Sequence, residues 1–125
     1  MTAPCIVLVV EDEPLIRIDL TDRLARKGCA SLEAGSAVEA IAILEQHPEI
    51  TVVFTDVQMP GTMDGIALAN YVRKRWPPTI IVVSSGKAQP APGLLAEDMA
   101  FIAKPYDEAN LSRVLTDVHA RLAAT

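Results

Sequence analysis

The chain has 125 residues, half of them hydrophobic and 22% charged, with a formal net charge of −5. That length suits one domain with a core of its own, and the composition excludes disorder. The negative balance argues against nucleic acid and anionic membranes as primary partners.

The first apolar run, Cys5 to Val10 ("CIVLVV"), is far too short to span a bilayer and stops at Glu11, Asp12 and Glu13. No basic segment precedes it, so the amino terminus reads as no secretion signal and the expected location is cytoplasmic. Cys5 and Cys29 lack CxxC or metal-ligand spacing, and are expected to be two inert core thiols in a reducing compartment. Pro14 opens a helical segment in which Ile16, Leu20 and Leu24 recur every four residues. A second short strand, 29–34, precedes a cleaner stripe of Ala37, Ala40, Ile41 and Leu44. The run "ITVVFT" (50–55) is a third strand, followed at once by Asp56 and then a Met59-Pro60-Gly61 break. Gly65, Ala69, Val72 and Trp76 mark a third helix, which Pro77 and Pro78 end. The fourth strand is "TIIVVS" (79–84), and the proline-rich stretch after it leaves room for only a short or irregular fourth helix. A fifth strand, "MAFIA" (99–103), precedes a last helix carrying Leu111, Leu115, Val118 and Leu122.

Strands without polar alternation lie in parallel sheets covered on both faces. Strand and helix alternating with short connections give a doubly wound α/β fold, residues 1–125 forming one domain. Such sheets bind ligands beyond the carboxyl ends of their strands, where the strand order reverses. The residues just past each strand are Glu11, Asp12 and Glu13; Asp56; Ser84 and Ser85; and Lys104. Each has a plain alternative. Asp12 suits a helix N-cap as well as a site, Asp56 suits a turn, the serines can satisfy strand-end backbone, and Lys104 suits a solvated loop. All of these holding at once is a weaker account than one shared site. Two carboxylates about 4 Å apart repel by roughly 4 kcal/mol at an effective dielectric near 20, so a cluster of them needs a raised pKa or a cation. Oxygen-only ligands suit Mg²⁺, and a carboxylate beside such an ion, with a lysine and a hydroxyl opposite, suits phosphoryl transfer onto Asp56.

The segments "VLVVEDEPLIR", "FTDVQMPGTMDGIALA", "IIVVSSG" and "FIAKPYD" resemble, in order and spacing, the receiver domain of two-component response regulators. The resemblance implies a flavodoxin-like, five-stranded parallel sheet in the order 2-1-3-4-5. It implies that Asp56 is the phosphoacceptor, and that Glu11, Asp12, Asp56 and the backbone carbonyl of Gln58 hold Mg²⁺. By the same match Ser84 is the switch hydroxyl, Lys104 contacts the phosphoryl group, and Phe101 is the aromatic that turns inward on activation. Pro60 and Gly65 shape the acceptor loop, and Pro105 follows a cis peptide bond. The implied partner is a sensor histidine kinase or a histidine phosphotransfer protein, with the domain an acceptor and not a turnover enzyme. The sequence carries no output module after the last helix, so a stand-alone regulator is the expectation, with a phosphate shuttle, a sink or a piece of a hybrid kinase as alternatives. Ser for the commoner Thr at 84 and Glu at 11 are ordinary variants. The proline-rich 89–93 stretch departs further, in the region that changes on phosphorylation. An aspartate-nucleophile phosphatase is disfavoured because the position two residues after Asp56 is Gln58, not an acid. A flavin nucleotide binder is disfavoured because acids, not a glycine-rich loop, follow the first strand.

Overall fold

The computed structural model describes residues 3–58, 61, 63–86 and 96–124. The elements run β1 (Ile6–Val10), α1 (Pro14–Arg26), β2 (Ala30–Ala34), α2 (Ala37–Gln46), β3 (Val52–Asp56), α3 (Gly65–Arg75), β4 (Ile80–Ser85), β5 (Ala100–Ala103) and α4 (Glu108–Ala123). The expected strands are all present, with ends shifted by a residue or two. The proline-rich stretch, and with it the expected short fourth helix, lies outside the described residues, as does Pro60.

The five strands form one parallel sheet in the order β2-β1-β3-β4-β5. Side chains alternate across a strand, so each central strand feeds two cores. Val7, Val9, Phe54, Val82 and Ile102 pack with Leu20 and Leu24 of α1 and Leu111, Leu115, Val118 and Leu122 of α4. Leu8, Val10, Val53, Ile81 and Val83 pack on the other face with Ala37, Ala40 and Leu44 of α2 and Leu68, Ala69 and Val72 of α3. Full burial on both faces is why β1, β3 and β4 read as unbroken apolar runs. Each such Val or Leu contributes roughly 1.5–3 kcal/mol. The polar edge strand β2, with Ser31 and Glu33, has less to bury.

The cysteine expectation is corrected. Parallel register pairs Ile6 with Ala30, which sets the preceding residues side by side, and Cys5 and Cys29 form a disulfide across a Cα–Cα distance of 4.8 Å. The two positions are 24 residues apart in sequence, and only strand pairing brings them together. The cysteines therefore supply no argument for a reducing compartment. No helix among the described residues is long and apolar enough to cross a membrane.

The capping alternative for Asp12 is also corrected. The N-cap of α1 is Glu13, with Pro14 at the first helical position, and no side chain caps the helix. Asp64 does cap α3, accepting from the Ala67 N–H at 2.8 Å.

Candidate functional site at the carboxyl ends of the strands

Strands β1 and β3 are neighbours, and helices leave them towards opposite faces of the sheet, so the strand order reverses at this point. Glu11, Asp12 and Asp56 meet there, each offering a carboxylate oxygen within 4.8 Å of the other two. Asp56 is the last residue of β3 and is buried, as is Glu11, whereas Asp12 is exposed. Glu11 is held by the sheet and by α1. Its N–H donates to the Ala34 carbonyl at 3.0 Å, and its carboxylate accepts the Glu13 N–H at 3.0 Å. The Arg17 guanidinium donates to the Glu11 carbonyl at 2.7 Å and to Glu33 at 2.9 Å, tying the loop to α1 and β2.

Lys104 reaches in from the end of β5. Its ammonium pairs with Glu11 and, at 3.0 Å, with Asp56, and its side chain is only 16% exposed. A solvated loop lysine is thereby excluded. The Lys104 N–H donates to the Ser85 carbonyl at 2.8 Å, which fixes the loop against β4, and the Lys104–Pro105 peptide is cis as expected. Burial pulls the Lys104 ammonium down, but hydrogen bonds to Glu11 and Asp56 outweigh it and leave its pKa raised. For Glu11 burial dominates, and its carboxyl stays above the usual range despite the bonds from Lys104 and the Glu13 N–H.

Counted as charges, three carboxylates and one ammonium leave two negative charges in one hollow. With oxygens no more than 4.8 Å apart, each carboxylate pair repels by at least about 3.5 kcal/mol at an effective dielectric of 20. A hard divalent cation with oxygen ligands matches both the charge and the donor type, so the residues fit Mg²⁺. Gln58 lies on the loop after β3, its N–H donating to Asp56 at 3.4 Å.

Ser84 is fully buried on β4, in register with Asp56. Its hydroxyl contacts the Thr55 carbonyl at 3.5 Å and accepts from the Tyr106 hydroxyl at 3.0 Å. Sequence pattern alone does not single out Tyr106. Its signal was a hydroxyl-bearing aromatic two residues after Lys104, and only the fold shows what the hydroxyl reaches. Phe101 lies on β5 beside Val83 and is partly exposed.

Gly65 opens α3 directly against the end of β3. A Cβ there would sit 1.8 Å from the Asp56 carbonyl oxygen and 2.8 Å from the Val57 Cα, so only glycine fits. Its N–H donates to the Val57 carbonyl at 2.8 Å. His47 pairs with Glu49, and His119 contacts the Lys27 carbonyl, so neither joins the acids. The Arg73–Arg75 cluster stays at the end of α3, with Arg73 on Asp98 and Arg75 over the Trp76 ring. A cavity of about 580 Å³ lined by Leu44, Ile50, Trp76 and Leu122 lies at the opposite end of the strands from the acids.

The response regulator receiver domain profile matches residues 7–116. Among curated relatives, the sensor kinase CckA of Brucella abortus is 34% identical over 116 residues, 90% of this chain and 12% of CckA. The chemotaxis protein CheY homolog of Campylobacter jejuni is 33% identical over 118 residues, 90% of each chain. The chain thus spans a small part of some relatives' length and nearly all of others'. The crystal structure of a response regulator receiver domain protein from Clostridium thermocellum superposes with a TM-score of 0.83 at 26% identity, covering 94% of this chain and 95% of that one. With the matching profile spanning the site from β1 into α4, the chain belongs to the response regulator receiver domain family of two-component signalling.

Proposed function

We propose that this domain accepts a phosphoryl group on Asp56, with Mg²⁺ bound, from a phosphohistidine of a sensor kinase or histidine phosphotransfer protein. The observation that carries the reading is the convergence of the buried Asp56 carboxylate with the Lys104 ammonium, which pairs with both Asp56 and Glu11, and with the Glu11 and Asp12 carboxylates, the Ser84 hydroxyl lying on the adjoining strand. Receiver domains of response regulators are phosphorylated by histidine kinases, and the profile match puts this chain among them.

In the transfer, an Asp56 carboxylate oxygen attacks phosphorus while the phosphorus–nitrogen bond of the donor histidine breaks, its electron pair staying on the imidazole. Glu11, Asp12, Asp56 and the Gln58 carbonyl are the proposed ligands of Mg²⁺, which supplies neutralising charge to the phosphoryl oxygens. Lys104 sits close enough to Asp56 to pair with a phosphoryl oxygen there, and Ser84 donates to another. Charge-assisted hydrogen bonds contribute roughly 1.5–3 kcal/mol each, so two approach the roughly 5.5 kcal/mol that inverts a 1:99 conformational balance. Phe101 and the surface around it are the proposed responders. Gly65 shapes the loop that leads from Asp56 into α3, and Pro105 the lysine loop. The domain is an acceptor that assists its own modification, not an enzyme that turns over substrate, and it works in the cytoplasm, where ATP-dependent kinases deliver the phosphoryl group.

Incubation with acetyl phosphate and Mg²⁺, read by intact mass, tests the chemistry. Wild type gains one phosphoryl group, and Asp56→Asn or removal of Mg²⁺ with EDTA abolishes the gain. Equal labelling of Asp56→Asn would place the acceptor elsewhere.

A further inference from the structure

Lys104 and Tyr106 belong to one short loop between β5 and α4, and they reach the two sides of the site separately. Lys104 contacts Asp56, and Tyr106 contacts Ser84. Tyr106 is held through both its ring and its backbone. It packs edge-on against Phe54 of β3 with centroids 5.5 Å apart, and its backbone carbonyl accepts from Arg23 of α1 at 3.0 Å. Burial pushes the phenol up to about 12, ahead of opposing effects from the Ser84 hydrogen bond and Lys104, so the hydroxyl keeps its proton and acts as a donor.

That bond decides where the single proton of Ser84 goes. An oxygen that accepts from Tyr106 must send its own hydrogen elsewhere. The partner it has is the Thr55 carbonyl at 3.5 Å, well beyond the usual 2.5–3.0 Å range for such bonds. The Ser84 proton is therefore poorly used before phosphorylation. A phosphoryl oxygen on Asp56, the register partner of Ser84, is a far stronger acceptor.

We infer that Tyr106 is a positioning residue for the switch hydroxyl: by donating to Ser84 it keeps that serine oriented as a donor towards the phosphoryl group on Asp56. A chain of donors from Tyr106 through Ser84 to the phosphoryl oxygen also strengthens each bond by polarisation. The role is separate from that of Phe101, which lies before Lys104 on β5 and carries no hydroxyl. It rests on the proposal that Asp56 is the phosphoacceptor.

The test uses beryllofluoride with Mg²⁺ as a phosphoryl stand-in, titrated by amide shifts of Ser84 and Ser85, in wild type, Tyr106→Phe, Ser84→Ala and the double variant. Phenylalanine keeps the ring against Phe54 and removes only the donor. Tyr106→Phe is expected to weaken beryllofluoride binding by up to about tenfold, the scale of one hydrogen bond. The double variant is expected to bind no more weakly than Ser84→Ala, because the tyrosine acts through the serine. A mere packing role would add the two losses, and additivity overturns the inference. Wild-type affinity in Tyr106→Phe overturns it too, while leaving Asp56 phosphorylation by acetyl phosphate intact. A wild type that neither binds beryllofluoride nor gains a phosphoryl group overturns both this inference and the functional reading beneath it.

Discussion

Gly65→Ala is the sharpest perturbation available, because the added methyl has a calculable destination. Its carbon would lie 1.8 Å from the Asp56 carbonyl oxygen and 2.6 Å from the Asp56 carbonyl carbon, against a floor of 3.0 Å for real contacts. The three nearest atoms are all backbone, so no side-chain movement relieves the clash, and either α3 or the end of β3 moves by the difference between 3.0 and 1.8 Å, at least 1.2 Å. That movement breaks the 2.8 Å bond from the Gly65 N–H to the Val57 carbonyl. Overpacking costs about 1–3 kcal/mol and a lost hydrogen bond about 1 more, together about 2–4 kcal/mol. For a domain of this length that lowers the melting temperature by about 8–15 °C. The same displacement shifts Asp56 relative to Lys104, which stand 3.0 Å apart. A 1 Å misplacement at a reacting centre costs on the order of 100-fold in rate. Calorimetry and the initial rate of phosphoryl gain from acetyl phosphate read the two effects. Gly86→Ala is the control, since a Cβ there meets nothing within 4 Å. If Gly65→Ala melts within about 2 °C of wild type, a small fraction of the shift expected from such a clash, and labels at a similar rate, the close approach of α3 to β3 does not govern the site.

Removing one acid should relieve repulsion. Asp12→Asn, at an exposed position, is expected to raise the metal-free melting temperature by about 2–4 °C, screening having reduced the gain to about 0.5–1 kcal/mol. Mg²⁺ at ten times its Kd should stabilise wild type by about 1.4 kcal/mol, and an undiminished shift in Asp12→Asn would remove that residue from the ligand set. Reducing the Cys5–Cys29 bridge, which closes a loop of 24 residues' separation, should cost about 3 kcal/mol in thermal melts. Alkylation of two free thiols in the untreated native protein would contradict the bridge itself. Glu108 is held below the usual carboxylate range by hydrogen bonds from Lys27 and then Arg23. A depressed carboxyl contributes stability above its unfolded pKa and loses it as pH falls through the folded value. The difference between wild type and Glu108→Gln should therefore fade as pH falls through and below the usual glutamate range, and carboxyl NMR of Lys27→Ala should show Glu108 titrating closer to that range.

The sequence by itself determined the elements and their layering. Unbroken apolar runs in β1, β3 and β4 mark strands covered on both faces, and the stripes of α1, α2 and α4 mark helices with one face to bury, because burial imposes its own period on the chain. It also placed the acids, Ser84 and Lys104 at strand ends, since a residue that follows a buried run emerges where the sheet stops. What it left open were relations across the fold. Asp12 reads equally as a cap until the backbone makes Glu13 the N-cap. Cys5 and Cys29 read as separate thiols until parallel register sets them side by side. Tyr106 reads as an ordinary aromatic until the loop turns its hydroxyl onto Ser84, 22 residues away in sequence. Periodicity reports which side of an element is buried, whereas these pairings depend on register and loop path, which residues far apart in the chain settle together.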